Sequence, residues 1–189
     1  MTKKVLYHRK PGDTRQTEDF YATCPTSIPP LIQLLGWDDG VQRRVWENSC
    51  GMGHLSEAIS VYGHTVVSTD LVNRGYGIGG VDFLQPTIFD AEPFDGIIMN
   101  PPYKHALEFI RKSISIAPIT AAFLRIAFLE SRKRKPFFAE HPPRYVAVFS
   151  ERVRSVKDGD FKNIGASVQC YAWYVWSKEY QGETVLRWI

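Results

Sequence analysis

Four consecutive residues, Asn100-Pro101-Pro102-Tyr103, have the groups that a reaction at a planar amine requires. Two successive prolines fix the backbone and remove two N–H donors, so the Pro101 carbonyl is held as a hydrogen-bond acceptor. The Asn100 amide oxygen and this carbonyl can accept the two hydrogens of an NH2 group, while the Tyr103 ring covers its face. The segment predicts a site that makes an amine nucleophilic without a strong base. The alternative is a strand that ends in a proline turn, with Tyr103 packed on the core.

The residues before this segment place it at the end of a buried strand. Residues 94–99 read Phe-Asp-Gly-Ile-Ile-Met, with Glu92-Pro93 before them and the two prolines after them. An apolar run with these boundaries indicates a buried parallel strand followed by a rigid loop. Open α/β sheets bind their ligands at the carboxyl ends of strands, so the segment lies where a ligand is expected.

The order Asn-Pro-Pro-Tyr resembles the catalytic motif of amino-methyltransferases that use S-adenosylmethionine, above all the small, phage-type DNA adenine-N6 enzymes. The resemblance implies that Asn100, Pro101, Pro102 and Tyr103 are catalytic. It also implies that S-adenosylmethionine is the cofactor and that other segments of the chain bind it.

A strand, a glycine turn and a helix are predicted for residues 41–61. Gly51 and Gly53 allow the backbone to approach a ligand closely, and the start of the helix offers unpaired N–H groups. With Glu47 four positions before the first glycine, the segment resembles the E-x-x-x-G-x-G loop of these methyltransferases. The resemblance implies that Glu47 faces the ammonium group of the cofactor's methionine and that Gly51 and Gly53 make room for the cofactor. Asn48 replaces a frequent proline.

The segment from Tyr21 to Pro25 resembles the Tyr-x-Thr-Pro-Pro motif that binds the cofactor in the same family. Cys24 stands where the first proline usually is. The resemblance implies that Tyr21 and Thr23 contact the methionine end of the cofactor.

Two later acidic residues complete the expected cofactor site. Asp70 ends a β-branched run, Thr65 to Asp70, and lies 19 residues after Gly51. Nucleotide-binding α/β folds place an acid on the ribose hydroxyls at a spacing of about 20 residues. The resemblance further assigns Asp82 to the amino group of the cofactor's adenine and Phe83 to its ring. The alternative for Phe83 is a buried residue of a short strand.

Length and element order together predict a single α/β domain. The chain has 189 residues and a mass of 21.6 kDa, the size of one domain. Alternating strands and helices predict a doubly wound, mostly parallel sheet. The resemblance implies that this sheet is of the Rossmann-like methyltransferase type. Two apolar segments, 168–176 and 184–189, predict a C-terminal antiparallel hairpin. We expect a basic arm at 1–18 and a methyltransferase domain at 19–189, without a separate target-recognition domain.

The charge pattern suggests nucleic acid as a partner. The net charge is only +3, yet positive residues cluster in the arm and in the predicted loops 130–143 and 151–166. Such clusters in a small domain predict DNA binding through these loops. The short remainder after the catalytic motif leaves room for a specificity partner or a homo-oligomer. The three cysteines are far apart and form no zinc motif, so no metal is expected. The sequence contains no signal peptide and no membrane-spanning run, which predicts a cytoplasmic protein of a bacterium or a phage-infected host.

The sequence therefore predicts methyl transfer from S-adenosylmethionine to the exocyclic N6 amine of adenine in DNA. Because this amine lies inside the duplex, the base must be flipped out of the stack. Two alternatives stay open. The acceptor is an adenine in RNA or a protein glutamine amide, or the chain is a cofactor- or DNA-binding module without turnover. The DNA recognition sequence is not readable from these residues.

Overall fold

The computed structural model describes residues 21–153, 155–157 and 169–189. The predicted basic arm, 1–18, lies outside the described residues. So do residue 154 and positions 158–166 of the second predicted basic loop.

Nine strands and four α-helices form the described part of the chain. The strands are β1 (Tyr21–Thr23), β2 (Arg44–Glu47), β3 (Thr65–Ser68), β4 (Gly96–Met99), β5 (Ile119–Arg125), β6 (Tyr145–Val148), β7 (Ser155–Lys157), β8 (Tyr171–Ser177) and β9 (Val185–Trp188). The helices are α1 (Ile28–Leu35), α2 (His54–Ser60), α3 (Ala106–Ile116) and α4 (Lys135–Glu140). Three short 3-10 helices lie at Pro25–Ser27, Ile88–Ala91 and Ile126–Leu129.

Seven strands form one mixed sheet in the order β3-β2-β4-β5-β8-β6-β9. The first four run parallel to one another, and β8 runs antiparallel to both of its neighbours, β5 and β6. The prediction of a single, mostly parallel, doubly wound sheet is therefore confirmed.

Apolar side chains alternate between the two faces of this sheet. In β4, Ile97 and Met99 join the core beneath α3 and α4, while Ile98 joins the core beneath α1 and α2. Strand side chains point to opposite faces with a period of two, so a strand that is apolar throughout is buried on both sides. This explains why the apolar run before Asn100 lies in the centre of the fold.

The C-terminal strands run antiparallel, but they do not pair as the predicted hairpin. β6 lies between β8 and β9, and β9 pairs with it in parallel. Burial explains the arrangement. Tyr171 to Trp176 of β8 are all buried and fill an interior position, whereas most of β9 is exposed and suits an edge.

Other predicted elements differ mainly at their ends. The apolar run from Thr120 to Phe128 predicts a strand, but β5 stops at Arg125 and the chain continues as a 3-10 helix. Residues 81–84 form a turn and no strand, with Phe83 buried. The predicted loop 130–143 contains α4, whose Phe137 is fully buried and holds the segment to the core. A basic run is therefore compatible with an ordered helix when one residue of it can be buried.

Candidate functional site

A cavity of about 780 Å³ opens beside the carboxyl ends of β2, β3 and β4. Parallel strands present their carboxyl ends at the same edge of a sheet, where ligands of this fold class bind. Eight of the twelve predicted site residues line the cavity: Tyr21, Thr23, Glu47, Asp70, Asp82, Phe83, Asn100 and Pro102. The other four, Gly51, Gly53, Pro101 and Tyr103, do not form its wall.

Asn100 is held at two points immediately after β4. Its side-chain Nδ2 donates to the Tyr21 carbonyl at 2.8 Å, and its backbone carbonyl accepts from Ser49 Oγ at 3.2 Å. Only the NH2 group of an amide can donate to a carbonyl, so the first bond fixes which way the amide faces. The amide oxygen is thereby left as the acceptor of this side chain.

The two prolines have different surroundings. Pro102 lines the cavity, and its carbonyl accepts from the His105 N–H at 2.9 Å in the turn that begins α3. Pro101 is buried. The role of the Pro101 carbonyl toward an amine therefore stays a prediction, since Pro101 does not line the cavity.

Tyr103 lies in an aromatic and cationic cluster. Its ring is stacked near Tyr21, with centroids 6.1 Å apart, and the Arg125 guanidinium lies 4.6 Å from its ring centroid. Its hydroxyl is 3.1 Å from the Tyr171 hydroxyl. Although burial opposes the charge of Arg125, hydrogen bonds to the Tyr171 and Tyr103 hydroxyls keep the pKa of Arg125 above its usual value.

Sequence reasoning missed Arg125 and Tyr171. No motif marks them, because they lie on strands β5 and β8 that only the completed sheet brings together. They are direct cross-strand partners and so share one face. The sequence signal for Arg125 was weak, because it lies within the apolar run 120–128 that predicts a strand and not at the end of that run.

Glu47 is a buried acid at the end of β2. Burial raises the pKa of its carboxyl group to about 8, and the negative charge of Asp70 adds to this effect, while the hydrogen bond from Ser56 Oγ opposes it. Ser56 Oγ also lies 2.6 Å from Ser68 Oγ. A carboxyl group in this setting is neutral at pH 7 unless a cation approaches it.

The raised pKa makes a prediction about stability. An acid whose pKa is higher in the folded state stabilises that state at low pH, and the contribution is lost as pH rises through the folded-state pKa. The unfolding free energy of the ligand-free protein should therefore fall by up to about 1.4 kcal/mol per pH unit between the ordinary Glu pKa and about 8. Glu47→Gln should flatten this slope in urea titrations, with the exposed acid Glu179 changed to Gln as control. An equal slope in wild type and Glu47→Gln would contradict the buried neutral acid.

The glycine turn after β2 is organised around side chains of the protein itself. The Gly51 N–H donates to Asp70 Oδ2 at 2.8 Å. Gly53 adopts φ +85°, and a Cβ there would lie 2.5 Å from the Tyr76 ring. Only glycine fits both requirements, so the space at Gly53 is occupied by Tyr76. The predicted role of these glycines toward a cofactor is thus indirect in this arrangement.

Asp70 is buried and accepts three hydrogen bonds. Besides Gly51, the donors are the Val72 N–H at 2.9 Å and Arg74 Nη1 at 3.0 Å, both to Oδ1. A carboxylate has about four lone-pair sites, so it retains capacity for a ligand hydroxyl. Asp70 therefore both organises the glycine turn and faces the cavity.

Asp82 and Phe83 lie on another part of the cavity wall. Asp82 Oδ1 accepts from the Leu84 N–H at 3.0 Å, which shapes the turn. The Phe83 ring is almost fully buried between Trp46 and Phe109, each with its ring centroid 5.0 Å away. Phe83 thus belongs to the core and reaches the cavity only at its surface.

Thr23 provides an independent sign of a ligand. It lines the cavity, and its Oγ1 is buried without a hydrogen-bond partner among the described residues. A buried hydroxyl usually has a partner, so Thr23 is a candidate contact for a polar ligand in the cavity.

The basic run of the loop 130–143 contains one residue with a structural role. The Arg134 guanidinium donates to the carbonyls of Phe128, Ala127 and Glu130 and stacks over the Phe128 ring. Arg132, Lys133 and Lys135 are exposed. The sequence pattern could not separate these roles, because all four residues are basic and adjacent.

Among residues 21–153, 155–157 and 169–189, no three His, Cys, Asp or Glu side chains are grouped as a metal site would require. Over the same residues, no helix has the length and apolar character needed to cross a membrane.

Comparison with known proteins gives structural neighbours but no sequence relatives. No family model matches the sequence, and no curated protein matches it. A protein of Listeria monocytogenes assigned to the class I S-adenosylmethionine-dependent methyltransferases has a TM-score of 0.63 and 11% identity over 87% of this chain. A protein of Vibrio vulnificus assigned as the modification subunit of a type I restriction enzyme has a TM-score of 0.57 and 12% identity over 91%. Magnesium protoporphyrin IX methyltransferase of Synechocystis, with bound S-adenosylmethionine, has a TM-score of 0.53 and 15% identity over 81%.

The matches differ in how much of the neighbour they cover. The chain spans 65% of the Listeria protein, 47% of the Vibrio subunit and 79% of the Synechocystis enzyme. At these identities the likeness concerns the fold. The chain has the Rossmann-like fold of class I S-adenosylmethionine-dependent methyltransferases.

Proposed function

We propose that this protein transfers the methyl group of S-adenosylmethionine to the N6 amine of adenine in DNA. The observation that carries the proposal is the orientation of Asn100. Because its NH2 group is bound to the Tyr21 carbonyl, its amide oxygen is the atom left to accept a hydrogen from an amine. Asn100 is also a wall residue of the large cavity, so acceptor and cofactor would meet at this side chain.

The cavity suits S-adenosylmethionine at several points. Glu47 is a buried acid that a methionine ammonium would ionise, and Asp70 has capacity left for a ribose hydroxyl. Thr23 offers an unpartnered hydroxyl, and Asp82 lies in the wall with one carboxylate oxygen outside its turn. The bound cofactor would supply an electrophilic methyl group. Its presence in the Synechocystis neighbour supports the assignment.

The chain's own residues would activate the acceptor amine. The Asn100 amide oxygen and the Pro101 carbonyl accept its two hydrogens, which concentrates the nitrogen lone pair on the free face. Tyr103 supports the ring of the base by stacking. Neither oxygen is basic enough to remove a proton, so the extra proton of the methylated amine passes to solvent after transfer. Positioning accounts for most of the acceleration in such a site.

DNA is favoured over the other amine acceptors by the basic surface and by the Asn-Pro-Pro-Tyr resemblance. Arg132, Lys133 and Lys135 are exposed near the carboxyl end of β5 and would contact phosphates while the base is flipped. The similarity to a restriction-modification subunit is consistent with this acceptor. The similarity to a protein of Pyrococcus horikoshii assigned as an RNA methyltransferase, with a TM-score of 0.52 and 14% identity, keeps RNA as the second candidate acceptor.

We assign recognition of a DNA sequence to the loops 130–143 and 151–166, or to a partner or second copy of the chain. We place the enzyme in the cytoplasm of a bacterium or a phage-infected cell.

The test is methyl transfer from labelled S-adenosylmethionine to unmethylated duplex DNA, with RNA and protein acceptors in parallel, followed by digestion to nucleosides and amino acids. We expect N6-methyladenine from DNA, and on the order of 10³-fold less with Asn100→Ala. A variant at an exposed position of α2's end, Val61→Ala, serves as the matched control. Label found only in RNA or only in protein would show that the acceptor is not DNA. No label in any of the three would favour a binding module without turnover.

The exposed cations make a separate prediction. Reversing the charges of Arg132, Lys133 and Lys135 together should weaken DNA binding. The affinity should also become less dependent on salt, with the negative slope of log affinity against log salt reduced in magnitude by about 2 to 3. Arg134 is left unchanged, because its guanidinium binds carbonyls of the protein. Arg187→Glu, on the exposed edge strand β9, is the control and should leave the slope almost unaltered. Fluorescence anisotropy at several salt concentrations measures both, and an unchanged slope in the triple variant would exclude these residues from the interface.

A further inference from the structure

We propose that β7 is a positioning element of the cofactor site: it holds β1 in place, and through the Tyr21 carbonyl it orients Asn100. The two strands form an antiparallel sheet of their own, with Tyr21 opposite Lys157, Ala22 opposite Val156 and Thr23 opposite Ser155. Neither strand belongs to the seven-stranded sheet. The proposal uses the cofactor site alone and does not depend on DNA as the acceptor.

β1 carries three features of the site within three residues. The Tyr21 carbonyl receives the Asn100 amide, and the Tyr21 ring is stacked near Tyr103. Thr23 contributes the unpartnered hydroxyl of the cavity wall. Among the described strands, the one that pairs with β1 is β7. The backbone of β1 is therefore fixed by a strand that is distant in sequence.

β7 is held in place by the core through the residues that follow β6. The chain leaves β6 at Val148, and Phe149 packs on Phe123 with ring centroids 5.9 Å apart. Val153 then packs against the core beneath α1 and α2. Two residues later the backbone pairs with β1. The core thus determines where β7 begins, and β7 determines where the Tyr21 carbonyl lies.

Such a short ladder is easily changed by its ligands. A two-stranded sheet of three residues per strand is marginally stable without other support. A cofactor bound to β1 would therefore stabilise the pairing with β7, and this pairing would in turn stabilise cofactor binding. Linkage is reciprocal. A contact that fixes β7 would therefore raise the affinity for the cofactor by the same factor by which the cofactor raises the affinity of that contact. The segment 151–157, part of the predicted DNA-binding loop, would then prepare the catalytic amide.

The test compares Val156→Pro with Val156→Ala. Proline cannot donate a ladder hydrogen bond and disturbs the pairing, whereas alanine keeps the backbone N–H. Calorimetric titration with S-adenosylhomocysteine should give a dissociation constant at least about tenfold higher for the proline variant and within about threefold of wild type for alanine. The thermal unfolding midpoint should stay near that of wild type, because the seven-stranded sheet is untouched. Equal affinity in all three proteins would overturn the proposal.

A measurement on the unchanged protein covers the case in which the proline variant does not fold. Amide hydrogen exchange of wild type is compared with and without S-adenosylhomocysteine. We expect protection of residues 155–157 to rise together with that of 21–23. Protection that rises in 21–23 and at Glu47 but not in 155–157 would show that β7 plays no part in the site. No binding of S-adenosylhomocysteine at all would instead contradict the cofactor assignment.

Discussion

Asn100→Ala should lower methyl transfer by a factor on the order of 10³ while the protein still binds the cofactor. Removing one preorganised hydrogen-bonding group from a catalytic site typically costs two to three orders of magnitude in rate. Alanine removes the amide oxygen that would accept a hydrogen from the amine, and this oxygen is the acceptor left by the bond to the Tyr21 carbonyl. We therefore expect the largest loss of activity at this position.

Cofactor affinity should change much less in the same variant. The loss of the bond to the Tyr21 carbonyl loosens β1 and costs about 1 kcal/mol, equivalent to a few-fold change in the dissociation constant. Activity with the DNA acceptor and calorimetry with S-adenosylhomocysteine measure the two effects separately. If transfer and cofactor binding fell by equal factors, Asn100 would be a cofactor residue and the proposed division of roles would be wrong.

Two related variants separate the donor and acceptor functions of this residue. Asn100→Asp keeps an oxygen acceptor but cannot donate to the Tyr21 carbonyl, so we expect activity between that of wild type and alanine. Ser49→Ala removes only the bond to the Asn100 backbone carbonyl and should have the smallest effect of the three. Activity of Asn100→Asp as low as that of alanine would assign the main role to the donor.

The main sheet and the location of the site could be predicted because both follow from burial. The run before Asn100 is apolar at successive positions, a pattern typical of a strand that is covered on both faces. β4 is such a strand. Glu47, Asp70 and Asn100 each follow a predicted strand, and parallel strands end at the same edge. Their assignments to particular parts of the cofactor stay predictions.

The features that the sequence did not predict depend on contacts between distant segments. The position of β6 between β8 and β9 follows from the relative burial of these strands. A local pattern of apolar residues carries little information about which of two strands is more buried. The space at Gly53 is filled by Tyr76, 23 residues later in the chain, and a glycine in a motif does not reveal what occupies its space. The bonds of Arg134 are local, but they exist only once the 3-10 helix before it has formed.

Asp70→Ala should produce the second large effect, a loss of cofactor affinity of about 10- to 100-fold. The carboxylate is charged and buried, and hydrogen bonds to charged groups contribute about 1.5–3 kcal/mol. Two causes contribute in the structure: a direct bond to the ribose, and the support that Asp70 gives to the turn through Gly51 and Val72. Calorimetry with S-adenosylhomocysteine measures the sum, and an unchanged dissociation constant would remove Asp70 from the site.

A ligand without the hydroxyl separates the two causes. If Asp70 binds the ribose, wild type should bind 2′-deoxy-S-adenosylhomocysteine at least about tenfold more weakly than the parent compound, because a buried acceptor loses its donor. Asp70→Ala should bind both compounds equally weakly. If the variant instead kept the wild-type preference for the 2′-hydroxyl, Asp70 would act only through the glycine turn. Glu179→Ala, which removes an exposed carboxylate outside the cavity wall, controls for the loss of an acid and should preserve both affinities.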